Sequence, residues 1–159
     1  MRCRILLLLA LPVLAAPRDL EPLLEKIARY EHGQDRKPVA DLDGLLREAH
    51  SSRAPMDAIE KRFIRFLESD ATLAGKDIIC RHLGVFGSGR SVPALAKLAA
   101  ARETAEMARY ALERIPGEAP LEALRTALAG ASGSERIGWI NSLGARRDAG
   151  STATLSRLL

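Results

Sequence analysis

The chain has 159 residues, which is enough for one domain with a sizeable hydrophobic core. Aromatic residues make up only 4% of it, and most of its apolar residues are alanine and leucine. This composition favours close helix–helix packing over a β-sheet, which uses β-branched and aromatic residues, so it predicts an all-α fold. The net charge is +4, but both signs are interspersed and there is no basic run, so we expect no nucleic-acid partner.

The segment 1–15 has the pattern of a secretory signal peptide. Arg2 and Arg4 precede the apolar segment Ile5–Leu14, and a small-residue cleavage site follows at Ala15; cleavage after the next alanine is the alternative. An apolar segment of about ten residues is too short to cross a bilayer, which takes about 20. We therefore expect an exported protein, periplasmic or secreted, with no stable membrane insertion once the leader is removed. An uncleaved anchor is the other possibility.

Beyond the leader, apolar residues recur at helical spacing in one segment after another. Prolines at the starts of these segments and glycines at their ends mark the boundaries, because proline fits the first helical turn and glycine ends a helix. The predicted helices run over Asp19–Glu31, from Pro38 to a loop at Ser51, from Pro55 to Leu67, from Ser69 or Asp70 as cap to Phe86, from the cap Ser91 to a break at Arg102, from there to Ile115, from Pro120 to Leu128, from Ser134 past Leu143, and over Ser151–Leu159.

Part of this pattern repeats along the chain. The segment Leu83–Leu95 returns as Leu143–Leu155, and a weaker copy spans Leu112–Leu124. The leucines that begin these segments are almost evenly spaced, and the leucines that end them give the same two intervals. A helix pair about every 30 residues is the unit of an α-solenoid.

The sequence Leu-Gly-x-x-Gly-x-x-x-Ser-Val-Pro-Ala-Leu at 83–95 resembles a HEAT repeat, in particular the short bacterial HEAT-like repeats of the phycobilisome-lyase type. The resemblance is good over 72–159 and weaker over 19–70, and we predict one HEAT-like helical repeat domain over 16–159. It implies a right-handed α-solenoid of stacked antiparallel helix pairs, roughly four pairs and a trailing helix, whose second helices line a concave face. In such families the repeats usually build an interaction surface, often in exported bacterial proteins.

The chain lacks the residue spacing that a metal, haem or catalytic site requires. Cys80 and His82 point to different faces of a helix, and His32 and His50 lie on separate turns, so we predict no metal site and no cofactor. Asp41 to Gly44 has the start of a calcium loop without its remaining ligands. Because Cys80 lies on an apolar helix face, we predict a buried, unreactive thiol and no catalytic residue in the chain.

The strongest candidate for a functional surface is a polar face on the second helices. A residue two positions before the core leucine lies about 200° round the helix, roughly opposite the core, and the residue four positions further back is predicted to share that face. This predicts a binding face made of Asp77, Arg81, Glu106, Tyr110, Arg114 and Asn141. Ile137 is counted both with this face and with the apolar face of its own helix. The alternative is that the charged residues are ordinary solvated pairs, and Trp139 is predicted to pack between repeats.

These features predict a non-catalytic protein–protein interaction or scaffold module that acts outside the cytoplasm on an unidentified protein partner. One alternative is a lyase-like or accessory module of an exported enzyme that handles a cofactor or a small substrate. That alternative needs a cavity with convergent titratable groups, for example Glu106 and Arg114. Another is a truncated remnant of a longer HEAT-repeat protein, which predicts self-association through the apolar residues of the last helix, Leu155, Leu158 and Leu159.

Overall fold

The computed structural model describes Pro17 and residues 19–51 and 56–158, which form an all-α structure with no strand. The helices are α1 Leu20–Ala28, α2 Lys37–Ser51, α3 Met56–Leu67, α4 Leu73–Phe86, α5 Val92–Ala99, α6 Ala105–Arg114, α7 Glu118–Gly130, α8 Glu135–Ala145 and α9 Thr152–Ser156. For these residues the predicted all-α class and the order of the helices are confirmed. Every helix in this part of the chain is too short or too polar to cross a membrane.

The helices pack in the way that a helical repeat requires. Helices α1 and α2, α3 and α4, α5 and α6, and α7 and α8 form successive pairs, and α9 follows them. The second helices α4, α6 and α8 lie side by side in chain order, and so do the first helices α3, α5 and α7. The closest association in the molecule is between α4 and α6, the two helices that carry most of the predicted binding face.

One continuous hydrophobic core runs through the stack. The repeat leucines of α4, α6 and α8 are fully buried, and so are Cys80 and, almost fully, Trp139, as predicted. Ile137 is not a core residue, because 59% of it is exposed, and its predicted place on the apolar face of α8 is wrong. At the end of the described chain Leu155 is half-buried, and Leu158 is 41% exposed.

Helix α4 begins later than its sequence predicts. Its N-cap is Thr72, whose hydroxyl oxygen accepts a hydrogen bond from the backbone N–H of Gly75 at 3.0 Å. The same hydroxyl donates to the carbonyl oxygen of Tyr30, and the Thr72 N–H donates to another carbonyl at the end of α1. The predicted caps Ser69 and Asp70 are therefore wrong, because tertiary bonds to α1 fix where α4 starts.

The turn between α4 and α5 is held by a buried carboxylate. Glu60 of α3 is only 3% exposed and accepts hydrogen bonds from the Ser88 N–H at 2.7 Å and from the Ser91 hydroxyl at 2.7 Å. Ser91 stands at the predicted N-cap position of α5, but its side chain bonds to Glu60 instead of capping the helix. The cap function passes to Ser88, whose hydroxyl accepts from the Arg90 N–H at the start of a short 3₁₀ turn.

Of the turns between repeats that the structure describes in full, the two that follow α6 and α8 are also held by side chains. Arg146, just after α8, donates to the carbonyl oxygens of Leu112, Glu113 and Ile115 at 2.6 to 3.2 Å, where α6 ends. Before α9, Arg125 of α7 forms a double hydrogen bond with the buried Asp148. That bond lowers the pKa of Asp148 to about 2. In the turns before α5 and α9 the side chain comes from the first helix of the preceding pair. The carboxylate of Glu60 fixes the turn before α5, and the guanidinium of Arg125 fixes the turn before α9.

Several sequence predictions lie outside the described residues. They are the signal peptide with Cys3 and its cleavage site, the proline start of the third helix at Pro55, and the terminal Leu159. Ser51, predicted to lie in a loop, is the last residue of α2.

Candidate functional site

The centre of the candidate site is the ring of Tyr110 on α6. The guanidinium carbon of Arg114, one turn further along α6, lies 3.6 Å from the centroid of that ring. The guanidinium carbon of Arg81, on α4, lies 5.1 Å from the same centroid. Both distances are within the range of a cation–π interaction, so two guanidinium groups bind one tyrosine.

Each arginine is held in place by a further contact. Arg81 donates to the Asp77 carboxylate at 2.8 Å, one turn earlier on α4, and this hydrogen bond raises the pKa of Arg81. Arg114 donates to the backbone carbonyl of Tyr110 at 3.0 Å. We refer to Asp77, Arg81, Tyr110 and Arg114 as the arginine–tyrosine cluster. The structure thus brings together four of the six predicted binding residues.

A glycine makes this contact between helices possible. A Cβ atom built at Gly84 would lie 3.3 Å from Arg114 Cδ and 3.4 Å from Tyr110 Cε1. The two side chains therefore lie directly on the backbone of α4. This glycine belongs to the repeated Leu-Gly pair of the sequence, and it explains why α4 and α6 approach so closely.

The other two predicted residues are not part of the cluster. Glu106 pairs with Arg109, whose hydrogen bonds lower the pKa of the Glu106 carboxyl group. Asn141 is exposed on α8, and its side chain makes no hydrogen bond within the described part of the chain. Glu106 lies outside the cluster because its carboxylate is paired with Arg109 of its own helix, whereas Asp77, at the equivalent position of α4, pairs with Arg81.

A polar network between α6 and α8 was not predicted from the sequence. Arg109 donates to the Ser142 hydroxyl at 2.7 Å, and that hydroxyl donates to Glu113 at 2.6 Å. Arg109 also lies against Gly138, where a built Cβ would be 3.1 Å from its Nε. The spacing of Glu106, Arg109 and Glu113 is a visible signal for ion pairs along one helix, but nothing in the sequence indicates the partner Ser142.

Three positions on α6 lie on the side of the following repeat, and the equivalent positions can be counted on the other second helices. Counted from the buried core leucine, they are six and three residues before it and one residue after it. On α6 they hold Glu106, Arg109 and Glu113, two of which bond directly to α8. On α4 the last of them is Gly84, which contacts α6. We refer to these as the forward positions.

A cleft of about 600 Å³ opens beside the network, between α5, α6, α7 and α8. Half of its lining residues are alanines, Trp139 lines part of it, and Arg102 and Glu135 form an ion pair of 3.6 Å in its wall. Glu106 lines the cleft, but Arg114 does not, so the pair expected of an enzyme site is not formed there. Since Arg109 keeps Glu106 ionised, this carboxylate is unsuited to act as a general acid near neutral pH.

Metal ligation and thiol chemistry find little support in the described residues. Within that part of the chain, no group of three or more histidine, cysteine, aspartate or glutamate side chains comes together as a metal site. Burial raises the pKa of the Cys80 thiol to about 12, so the nucleophilic thiolate is scarce at neutral pH. This agrees with the predicted structural role of Cys80.

His82 makes the stability of the stack dependent on pH. It lies on α4 at 3.3 Å from Asp43 of α2, and its burial lowers its pKa despite that carboxylate. A pKa that is lower in the folded state means that the unfolded chain binds the proton first. Stability is therefore fully present above the unfolded value of about 6.5 and falls as pH drops through it, by at most about 1.4 kcal/mol per pH unit.

We expect the urea concentration at the midpoint of unfolding to be lower at pH 5.5 than at pH 7.5. In His82→Gln we expect this difference to be smaller. The exposed His50 provides the control, since His50→Gln is expected to leave the slope unchanged. Asp148 does not interfere, because its own contribution is lost only as pH falls from about 3.8 toward 2. An unchanged slope in His82→Gln would contradict this assignment.

Comparison of the chain with protein-family models, with curated proteins and with solved structures found no match.

Proposed function

We propose that this chain is an exported, non-catalytic interaction module that binds a protein partner through the arginine–tyrosine cluster. In this proposal the helix pairs form a right-handed HEAT-like solenoid, and the second helices supply the binding surface. The leader and the repeat pattern at 83–95 motivate the export and the family; the geometry around Tyr110 motivates the binding surface.

The observation that carries the proposal is one tyrosine ring contacted by two exposed guanidinium groups. The side chains of Arg81 and Arg114 are 58% and 41% exposed, so both arginines can reach a partner while they stack on Tyr110. Tyrosine and arginine are enriched among the residues that contribute most to protein–protein binding. Because Tyr110 lies on the α4 backbone at Gly84, its ring is fixed before binding, and this reduces the entropy that binding must overcome.

An exposed apolar residue extends this surface. Val85 of α4 is 81% exposed, and it stands two residues after its core leucine, as Arg114 does on α6. The surface therefore combines an apolar side chain with cations and a stacked ring, which is the composition of an interface centre. Guanidinium groups stay protonated throughout the physiological pH range, so the cluster is suited to binding and not to proton transfer.

The proposal is tested by site-specific photocrosslinking in intact cells of the source organism. A photoreactive phenylalanine analogue is placed at Val85, beside the cluster, or at Asn141, exposed on α8. The control position is Glu122, exposed on α7 in the other layer of helices. We expect an adduct with a defined protein from Val85, and no such adduct from Glu122.

The same crosslink is then repeated in a chain with Arg81→Ala and Arg114→Ala, whose folding is checked by circular dichroism. Since both side chains are largely exposed, we expect a folded protein and at least a tenfold loss of adduct. An adduct that survives these replacements, or that forms equally at Glu122, would rule out the cluster as the binding surface.

Export is tested separately by the intact mass of the protein purified from the cell envelope. We expect a chain that begins at Ala16. A protein that retains Met1 would contradict the leader assignment and would leave the binding proposal standing.

A further inference from the structure

The forward positions of α8 carry apolar residues, of which Ile140 packs against the hydrophobic core and Ile137 lies exposed. They are Ile137, Ile140 and Gly144, the counterparts of Glu106, Arg109 and Glu113 on α6. Ile137 is 59% exposed, and Ile140 is half-buried. On α6 the same positions are polar and two of them, Arg109 and Glu113, bond to α8, so the apolar set on α8 is a difference between two otherwise equivalent helices.

A difference between α8 and α4 is seen at the glycine that follows the core leucine in each helix. Gly84 and Gly144 occupy the same position in their helices, because each directly follows the buried core leucine. A Cβ at Gly84 would meet Tyr110 and Arg114 of the next repeat, whereas a Cβ at Gly144 would meet nothing within 4 Å. The backbone of α8 at Gly144 is therefore open to contact by another helix, in the way that the backbone of α4 at Gly84 is contacted by α6.

A complementary surface lies at the other end of the molecule. Helices α1 and α2 enclose a groove of about 670 Å³, and none of its lining residues belongs to α3 or to any later helix. Its apolar lining includes Leu23 and Leu45. Its charged lining is Asp19, Asp41 and Glu48 with one cation, Lys26, and Asp41 pairs with Lys37 at 2.8 Å. The groove thus opens away from the rest of the stack.

The two ends carry opposite charge. Residues 19–51 contain eight acidic and five basic side chains, whereas residues 134–158 contain two acidic and four basic ones. One of those two acids, Asp148, is already paired with Arg125. Exposed arginines at the basic end include Arg147 and Arg157. Opposite net charge at the two ends steers copies of one chain toward head-to-tail contact and opposes contact between like ends.

We propose that the α8 end of one copy docks on the α1–α2 groove of a second copy. Ile137 and Ile140 enter the groove, and Arg147 and Arg157 meet its acidic side chains. This interface is separate from the arginine–tyrosine cluster and does not depend on the proposed function. It joins two different surfaces, so it forms open chains or a closed ring and not a symmetric two-copy contact.

The test is sedimentation velocity over a range of protein concentrations, with the full chain and with the chain from Ala16 measured in parallel. Ile137→Asp removes the α8 surface, and Ala40→Arg places a cation in the groove, at an exposed position of α2. We expect the unaltered protein to gain mass with concentration and to lose that mass in high salt. Each variant alone is expected to associate at least tenfold more weakly.

Mixing the two variants distinguishes this interface from a symmetric one. The Ile137→Asp chain keeps its groove and the Ala40→Arg chain keeps its α8 surface, so an equimolar mixture is expected to form one-to-one dimers. Leu73→Asp, which also removes an exposed apolar residue and lies outside the groove and the arginine–tyrosine cluster, is the control and is expected to associate like the unaltered chain. If only the chain from Ala16 associates, and its variants behave as described, the proposal is supported. The proposal is overturned if the full chain and the chain from Ala16 both stay monomeric at every concentration. It is also overturned if the mixture of the two variants stays monomeric.

Discussion

Replacement of Gly75 by alanine is expected to lower the free energy of unfolding by about 2 kcal/mol, although alanine is the better helix former. A Cβ at Gly75 would lie less than 3.0 Å from the carbonyl oxygen of Ile27, a backbone atom that cannot rotate away. The end of α1 also cannot retreat easily, because Thr72 donates to the carbonyl oxygens of Ala28 and Tyr30. Urea denaturation followed by circular dichroism measures the loss.

The matched control is Gly144→Ala, in the same chain and also inside a helix. Because a Cβ there meets nothing within 4 Å, this change is expected to stabilise the protein by about 0.5 to 1 kcal/mol. It is measured at low protein concentration, so that association at the α8 end does not contribute. Equal effects of the two substitutions would mean that α1 does not press on Gly75.

The sequence predicts the architecture well because that architecture depends on periodic burial. Leu83, Leu112 and Leu143 recur at nearly equal intervals along the chain, and each is fully buried on a second helix. Cys80 and Trp139 follow the same rule and are buried as predicted. Helical spacing states which side of a helix is apolar, and in a stacked fold this is nearly enough to order the helices.

The sequence predicts the candidate site less well because contacts between repeats are not periodic. A helical wheel places Glu106 and Tyr110 on one side, yet the Glu106 carboxylate pairs with Arg109 of its own helix and lines the cleft between α6 and α8. The N-cap residue of α4 is predicted wrongly for a related reason. Hydrogen bonds from Thr72 to the end of α1, and not the local sequence, fix where the helix starts. Only the fold brings such partners together.

Glu60 is the clearest case, and its replacement by alanine is expected to have the largest effect of any single change described here. The substitution removes the acceptor of the half-buried Ser88 N–H and of the fully buried Ser91 hydroxyl, and leaves both donors without it. A hydrogen bond to a charged group contributes about 1.5 to 3 kcal/mol, so we expect a loss of about 3 kcal/mol. The loss is measured by urea denaturation at neutral pH.

A double-mutant cycle separates this network from a general loss of packing. If Glu60 acts by accepting from Ser91, the loss in Glu60→Ala/Ser91→Ala is smaller than the sum of the two single losses by about 1 kcal/mol or more. Glu68→Ala serves as the control, because its 3.1 Å ion pair with Lys97 is exposed and is expected to contribute less than about 1 kcal/mol. Additive effects at positions 60 and 91 would mean that the turn between α4 and α5 is fixed by its own backbone. Coupling would mean instead that α3 positions the start of the next repeat, and with it the spacing of α4 and α6 on which the arginine–tyrosine cluster depends.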